Sequence, residues 1–125
     1  MTVRRADRAL ATPAPSLLGE VELLVLLAVL RLRDEGYAVP IRALIKRDVG
    51  VDLSRGTIYV TLERLERKGY LTSWFSDPQA MRGGKARRFF RLEPAGLIAV
   101  KASKRAIDRL AAGTVLAPKS EGRRS

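Results

Sequence analysis

The chain has 125 residues, with 24 Lys and Arg residues against 13 Asp and Glu residues, which gives a formal net charge of +11. It contains no histidine and no cysteine, and this excludes disulfides, thiolate or imidazole metal ligands and catalytic triads that use histidine. We therefore expect a protein that is not an enzyme and has no cofactor or metal, and its charge favours a polyanionic partner, nucleic acid before an anionic membrane surface.

Residues 1–15 are polar, basic and proline-containing, which is typical of a flexible arm. Order is predicted from residue 16, where Ser16 can cap a first helix. That helix is predicted to run to about Glu35 and to end at Gly36, a residue type common after helix ends. A chain of this length predicts one folded domain.

The first helix carries an unbroken apolar run over residues 23–30. A membrane span needs about 20 apolar residues, so we expect a buried helix, no membrane partner and a cytoplasmic chain. Apolar side chains lie nearly all round this helix, and a small domain supplies little core to cover them. We predict that a second subunit covers part of it; the alternative is a helix buried centrally within its own domain.

The next segment predicts a short strand over Tyr37–Val39 and then a second helix, in which Pro40 suits the first position. Gly50 is the predicted end of that helix. Ser54 can then cap a third helix that runs to about Lys68 and ends before Gly69. Apolar residues at helical spacing mark the inner faces of the two helices: Ile41, Leu44 and Ile45 in the second, and Ile58, Leu62 and Leu65 in the third.

Residues 70–75 and 88–92 are rich in β-forming side chains, and the connector over 77–85 is turn-rich and basic. They predict a β-hairpin with a long mobile tip. Pro94 can open a last helix that ends at Gly113, before a disordered tail over 114–125. The element order predicts a mainly α fold with a small β-hairpin: a winged helix-turn-helix domain over 16–93, followed by a C-terminal helix over 94–113.

In a helix-turn-helix, the N-terminal end of the second helix of the motif approaches the DNA bases. Here Arg55 can bind guanine, Thr57 and Val60 can touch a thymine methyl group, and Gly56 leaves room for close approach. Hydroxyl groups at this end can also reach phosphates. For Arg64 and the basic residues after it, the alternative is a solvated face paired with acidic neighbours. The candidate residues of this helix are Ser54, Arg55, Gly56, Thr57, Tyr59, Val60 and Arg64.

The hairpin places five basic and no acidic residues between Arg82 and Arg91. A slim basic tip suits a minor groove or flanking phosphates; the alternative is a solvated hairpin that protects a sheet edge. Side-chain alternation puts Phe90 and Leu92 on the inner face and Arg88 nominally beside them, near the tip. The candidate DNA-binding residues of the hairpin are Arg82, Lys85, Arg87 and Arg88.

Three apolar residues of the first helix are candidates for the dimer interface: Leu23, Leu26 and Leu30. Four aromatic residues are candidates for a ligand pocket: Tyr37, Trp74, Phe75 and Phe89. Packing within the hairpin and core is the favoured interpretation of these aromatic residues. A small-molecule effector is therefore left open, without a motif to support it.

Two segments, 56–71 and 84–96, resemble the PadR family of bacterial transcriptional regulators. The first reads Gly-Thr-Ile-Tyr-Val-Thr-Leu-Glu-Arg-Leu-Glu-Arg-Lys-Gly-Tyr-Leu, and the second reads Gly-Lys-Ala-Arg-Arg-Phe-Phe-Arg-Leu-Glu-Pro-Ala-Gly. The chain departs from the family pattern at Val60, often proline, at Phe90, often tyrosine, and at Glu93, where a threonine would cap the last helix.

The resemblance implies a homodimer, formed by the first helix and the C-terminal segment, that represses promoters with inverted-repeat operators. The helix over 94–113 is then a dimerisation helix, and its apolar residues join the candidate dimer interface: Leu97, Ile107 and Leu110. Some members of the family bind small effectors near the dimer interface, and a single C-terminal helix resembles the short-tailed subgroup, which lacks a large effector-binding domain. Sequence-specific, nucleoid-associated repression by binding double-stranded DNA is thus the leading hypothesis. A non-specific architectural DNA- or RNA-binding protein and a protein-interaction module are the alternatives.

Overall fold

A computed structural model describes residues 17–77 and 86–114. The two strands pair antiparallel, with Leu71 opposite Leu92 and Phe75 opposite Arg88. The expected fold class, mainly α with a small β-hairpin, is confirmed. The predicted cap at Ser16 is wrong, because the first helix begins only at Glu20, after Gly19, whose amide donates to the Glu22 carboxylate. The arm over 1–15, most of the hairpin tip and the tail from 115 onward lie outside the described residues. The elements are α1 (Glu20–Leu32), a 3₁₀ helix (Arg33–Glu35), α2 (Ala38–Val49), α3 (Arg55–Arg67), β1 (Leu71–Phe75), β2 (Arg88–Leu92) and α4 (Pro94–Ala111).

The predicted strand over Tyr37–Val39 is wrong, because α2 already begins at Ala38. Pro40 is therefore the third residue of the helix and not its first. The amides of the first helical turn have no acceptor within the helix, so the missing N–H of Pro40 breaks no helical hydrogen bond there. Just before the helix, the Gly36 carbonyl accepts a hydrogen bond from the Phe90 amide at 2.8 Å, so this segment does touch the hairpin.

Other helix ends follow the sequence signals. Gly50 ends α2 in the left-handed conformation with a φ of 83°, which glycine adopts without a steric penalty. Ser54 caps α3, and its Oγ accepts a hydrogen bond from the Thr57 amide at 3.0 Å. Pro94 is the first residue of α4. These three signals place the turn between α2 and α3 and the start of α4 where the sequence predicts them.

The hydrophobic core lies where α1, α2, α3 and the inner face of the hairpin meet. Leu26 and Phe90 are both fully buried in it, together with inner residues of α2 and α3. Leu26 is one of the predicted dimer residues, and this assignment needs correction: its side chain already packs inside a single chain, so none of its surface is left for a partner. None of the described helices is long and apolar enough to cross a membrane.

Glu22 joins the start of α1 to the end of α3. Its carboxylate accepts hydrogen bonds from the Gly19 amide at 3.0 Å and from Lys68 Nζ at 2.8 Å, and the residue is 8% exposed. Burial alone would raise the pKa of this carboxyl group, but the bonds from Lys68 and Gly19 outweigh burial and hold the pKa below its usual value. The charged form of Glu22 is therefore favoured in the folded chain.

The start of α4 lies against the turn that follows α3. The Tyr70 carbonyl accepts a hydrogen bond from the Glu93 amide at 2.9 Å, and a Cβ built on Gly96 would come within 2.4 Å of the same oxygen. Farther along α4, the buried Ser103 hydroxyl accepts a hydrogen bond from the Leu18 amide at 3.0 Å. The C-terminal helix is thus attached to the turn after α3 and to the segment before α1. The whole is a winged helix-turn-helix with an added helix.

Candidate nucleic-acid interface

The N-terminal end of α3 is open to solvent. Ser54, Arg55, Gly56 and Thr57 are all exposed, and a Cβ added at Gly56 would find its nearest neighbour, Ser54 Oγ, 4.0 Å away. The Ser54 hydroxyl donates to Thr57 Oγ1 at 2.9 Å while it caps the helix. The predicted base-reading residues therefore share one accessible end of a capped helix, and the cap fixes where that end lies.

The outer face of α3 continues this surface. Tyr59 is 40% exposed and Val60, an apolar residue, is 55% exposed. Arg64 is exposed as predicted. Thr61, in contrast, is buried with 3% exposure. Thr61 therefore belongs to the core and Val60 to the accessible face.

Two basic residues of α2 that sequence reasoning missed lie beside this end of α3. Arg42 and Lys46 pair with Asp52 in the turn, at 3.1 and 3.8 Å, and all three line a groove of about 440 Å³ together with Arg55. Their spacing of four residues puts them on one helix face, and this was a signal in the sequence. The turn carboxylate thus holds two cations next to the predicted base-reading arginine.

The arginines near β2 have different partners. Arg88, a predicted DNA contact, donates to Glu66 at 2.7 Å and to Glu63 at 3.4 Å, so both of its acidic partners lie on α3. Arg87 is exposed and donates to the Tyr37 hydroxyl oxygen at 3.0 Å. Arg82 and Lys85 lie outside the described residues. The structure therefore ties Arg88 to the body of the fold and leaves Arg87 at the surface.

The aromatic candidates for a ligand pocket pack against one another. The rings of Tyr37 and Phe89 are 5.1 Å apart and tilted by 60°, and Phe89 stacks on its cross-strand partner Trp74 at 5.7 Å. Such pairs stabilise a fold beyond the area they bury. Three of the four side chains are thus engaged in packing on the outer face of the hairpin, and Phe75 is 67% exposed.

The remaining dimer candidates are distributed over α1 and α4. Ile107 is 60% exposed and Leu110 is 80% exposed, whereas Leu23 and Leu97 are half-buried. Leu30 is 41% exposed, near the C-terminal end of α1. Both α1 and α4 therefore carry aliphatic side chains that this single chain leaves exposed.

A helix-turn-helix followed by a β-hairpin defines the class of winged helix-turn-helix proteins, and this chain adds a long C-terminal helix to it. The family described as "Transcriptional regulator PadR-like family" matches residues 26–102, more than half of the chain. The chain therefore belongs to the PadR-like family of transcriptional regulators. The family resemblance seen in the sequence is confirmed.

Individual relatives agree with this assignment. Transcriptional regulator Rv3488 of Mycobacterium tuberculosis is 44% identical over 62 residues, which are 50% of this chain and 54% of that protein. The chain thus matches about half the length of this curated relative. A PadR family transcription regulator from Clostridium difficile R20291 is 27% identical, with a TM-score of 0.59, over 75% of this chain and 96% of that chain.

A more distant structure supports the fold. The PadR-like transcription factor from Bacteroides fragilis is 19% identical, with a TM-score of 0.65, over 90% of this chain and 94% of that chain. The match extends along nearly the whole of both chains. It therefore agrees with the arrangement of helices, hairpin and C-terminal helix described above.

Proposed function

We propose that this protein is a sequence-specific DNA-binding repressor that binds an inverted-repeat operator as a homodimer, at the nucleoid in the cytoplasm. The observation that carries the proposal is the capped, solvent-exposed N-terminal end of α3, where Ser54, Arg55 and Thr57 lie together beside the cations of α2. An accessible helix end of this kind is what helix-turn-helix proteins insert into the major groove.

Each contact has a chemical role. Arg55 donates to the O6 and N7 atoms of guanine, and Thr57 and Val60 contact thymine methyl groups. Gly56 lets the helix backbone approach the bases closely. Phosphate contacts, which orient the protein without reading sequence, come from residues of α3 and of the β-hairpin over 71–92, which is the wing of the fold: Ser54, Tyr59, Arg64, Arg82, Lys85 and Arg87. Arg88 is left out of this set because Glu63 and Glu66 already pair with it.

Dimerisation is the second part of the proposal. Ile107 and Leu110 of α4, with Leu23, Leu30 and Leu97, form the apolar surface that a second copy would cover. Large apolar patches on a small domain are unfavourable in water unless a partner buries them. Ile107→Glu should shift the protein from dimer to monomer in sedimentation velocity at micromolar concentration without unfolding it, because Ile107 is 60% exposed in one chain. A wild-type protein that sediments as a monomer would refute this part.

Selection of bound sequences from a random duplex pool tests the DNA-binding part. A specific regulator should recover one motif twice in opposite orientations, with half-sites about one helical turn apart or a multiple of that distance. Arg55→Ala should change the recovered motif. Arg109→Ala, an exposed arginine on α4, is the control and should not. A pool that stays random would refute sequence specificity.

Competition experiments separate the alternative function. An architectural protein that binds without specificity would be displaced equally well by random duplex, structured RNA and the selected site. The basic residues of the wing favour nucleic acid over a protein-interaction module, and binding should weaken steeply with salt because each neutralised phosphate releases counterions. A reporter driven by the selected site should fall in expression if the protein is a repressor.

A further inference from the structure

Arg87, Arg88 and Arg91 lie just before β2 or within it, and their guanidinium groups have different partners. Arg88 is paired with Glu66 and Glu63, and Arg91 is paired with Asp34 at 3.4 Å. Arg87 has no carboxylate within ion-pair distance among the described residues. Its partner is instead a neutral group, the Tyr37 hydroxyl. The positive charge of Arg87 is therefore held in place by a group that does not neutralise it.

The position of the Arg87 guanidinium is defined from two sides. Its Nη1 donates to the Tyr37 hydroxyl oxygen at 3.0 Å, and its central carbon lies 4.7 Å from the centre of the same ring. The backbone is fixed as well, because the Arg87 amide donates to Ser76 Oγ at 2.9 Å and the Arg87 carbonyl accepts from the Ser76 amide at 2.8 Å. A cation over an aromatic face is attracted to it, so ring and hydroxyl act together.

Tyr37 is itself held in place. Its ring packs on Phe89, which stacks on Trp74 across the hairpin. The residue directly precedes α2, so it connects the helix-turn-helix to the wing. Tyr37 and Arg87 line a groove of about 400 Å³ between the wing and α3, and Tyr59 of α3 lines the same groove. Arg87 thus faces the space between the two elements proposed to contact DNA.

We propose that Tyr37 is a positioning residue that presents the guanidinium of Arg87 to a DNA phosphate in this groove. The inference rests on the proposed DNA-binding function. One hydrogen bond to Tyr37 leaves other N–H donors of the guanidinium for phosphate oxygens. Because the side chain is ordered before DNA arrives, less rotamer freedom is lost on binding. A carboxylate in the place of Tyr37 would order the side chain equally well but would compete with the phosphate.

The test compares single and double variants by fluorescence anisotropy with the selected duplex over a series of salt concentrations. Arg87→Ala should weaken binding about tenfold and lower the salt slope by about one. Tyr37→Phe keeps the ring and its packing but removes the hydroxyl, and should weaken binding about threefold. In the Arg87→Ala background, Tyr37→Phe should have no further effect, because its role passes through Arg87.

Two controls make the outcome decisive. Arg109→Ala should bind as the wild type does, and Tyr37→Phe should keep the wild-type unfolding temperature because the Phe89 contact remains. If the wild type shows no salt-dependent binding to any duplex, the proposed function fails. If the wild type binds but Tyr37→Phe has no effect, or has the same effect with and without Arg87, the DNA-binding function stands and the positioning role is overturned.

Discussion

Replacing Gly96 with alanine tests how α4 is attached to the domain. A Cβ at this position would lie 2.4 Å from the Tyr70 carbonyl oxygen and 2.8 Å from Leu92 Cδ1, against about 3.4 Å for ordinary contact. The leucine side chain can rotate, but the carbonyl belongs to the backbone and already accepts a hydrogen bond from the Glu93 amide. Gly96→Ala must therefore move the start of α4 away from the turn by about 1 Å.

The magnitude follows from two opposing effects. Forcing extra atoms into a packed contact destabilises a protein by about 1–3 kcal/mol, whereas alanine is favoured over glycine in helices by up to about 1 kcal/mol. Gly56→Ala is the matched control, because Gly56 also lies in a first helical turn but has open space at its Cβ. The difference between the two variants removes the helix preference, and we expect about 1–3 kcal/mol in the free energy of unfolding.

Urea unfolding followed by circular dichroism measures this difference. All proteins should be compared at one protomer concentration, because the stability of a dimer depends on it. Gly96→Ala should lower the unfolding midpoint without changing the slope with urea. If Gly96→Ala and Gly56→Ala unfold at the same midpoint, α4 can shift without loss of stability, and the close backbone contact at Tyr70 does not hold it in place.

Two further predictions concern charged groups. Glu22→Gln should lower the free energy of unfolding by about 1–3 kcal/mol at pH 7, because Lys68 loses a charged partner. The pKa of Glu22 is depressed in the folded state, so its stabilisation is complete above the unfolded pKa and is lost as pH falls through the folded pKa. Urea unfolding should therefore show that the difference in unfolding free energy between variant and wild type disappears below about pH 4. A difference that stays constant from pH 7 to pH 3 would refute this. Asp52→Asn should tighten binding to any duplex several-fold, as measured by anisotropy, because Arg42 and Lys46 lose their acidic partner. Asp108→Asn, which breaks a pair on α4, is the control, and unchanged affinity in Asp52→Asn would show that these cations lie away from the DNA.

Features that depend on local chemistry were predictable from the sequence. The cap at Ser54, the left-handed glycine at position 50 and the helix start at Pro94 each reflect a preference of one residue within one turn of chain. The predicted strand at Tyr37–Val39 is wrong because local preference did not decide the structure of this segment. Its side chains favour β structure locally, but a helix can begin before Pro40 because the amides of the first turn need no helical acceptor.

Features that depend on distant residues were not predictable. Alternation along β2 put Arg88 on the inner face, yet only the packing of the hairpin on α3 brings it to Glu63 and Glu66. Similarly, the pattern of α1 shows apolar residues all round but not which side the chain itself covers, so Leu26 was assigned to a partner although its own core buries it. The contact between Arg87 and Tyr37 joins residues 50 positions apart and leaves no periodic signal.

The contact at Tyr70 has a consequence for how DNA sites are measured. One peptide carbonyl receives the hydrogen bond from Glu93 and lies against Gly96, so the turn after α3 and the first turn of α4 are held together at Tyr70. In the proposed dimer, the angle at which two α4 helices cross would then set the separation of the two α3 helices. Changes to apolar side chains far along α4 should alter the operator spacing that the dimer accepts, while the half-site that each α3 reads stays the same.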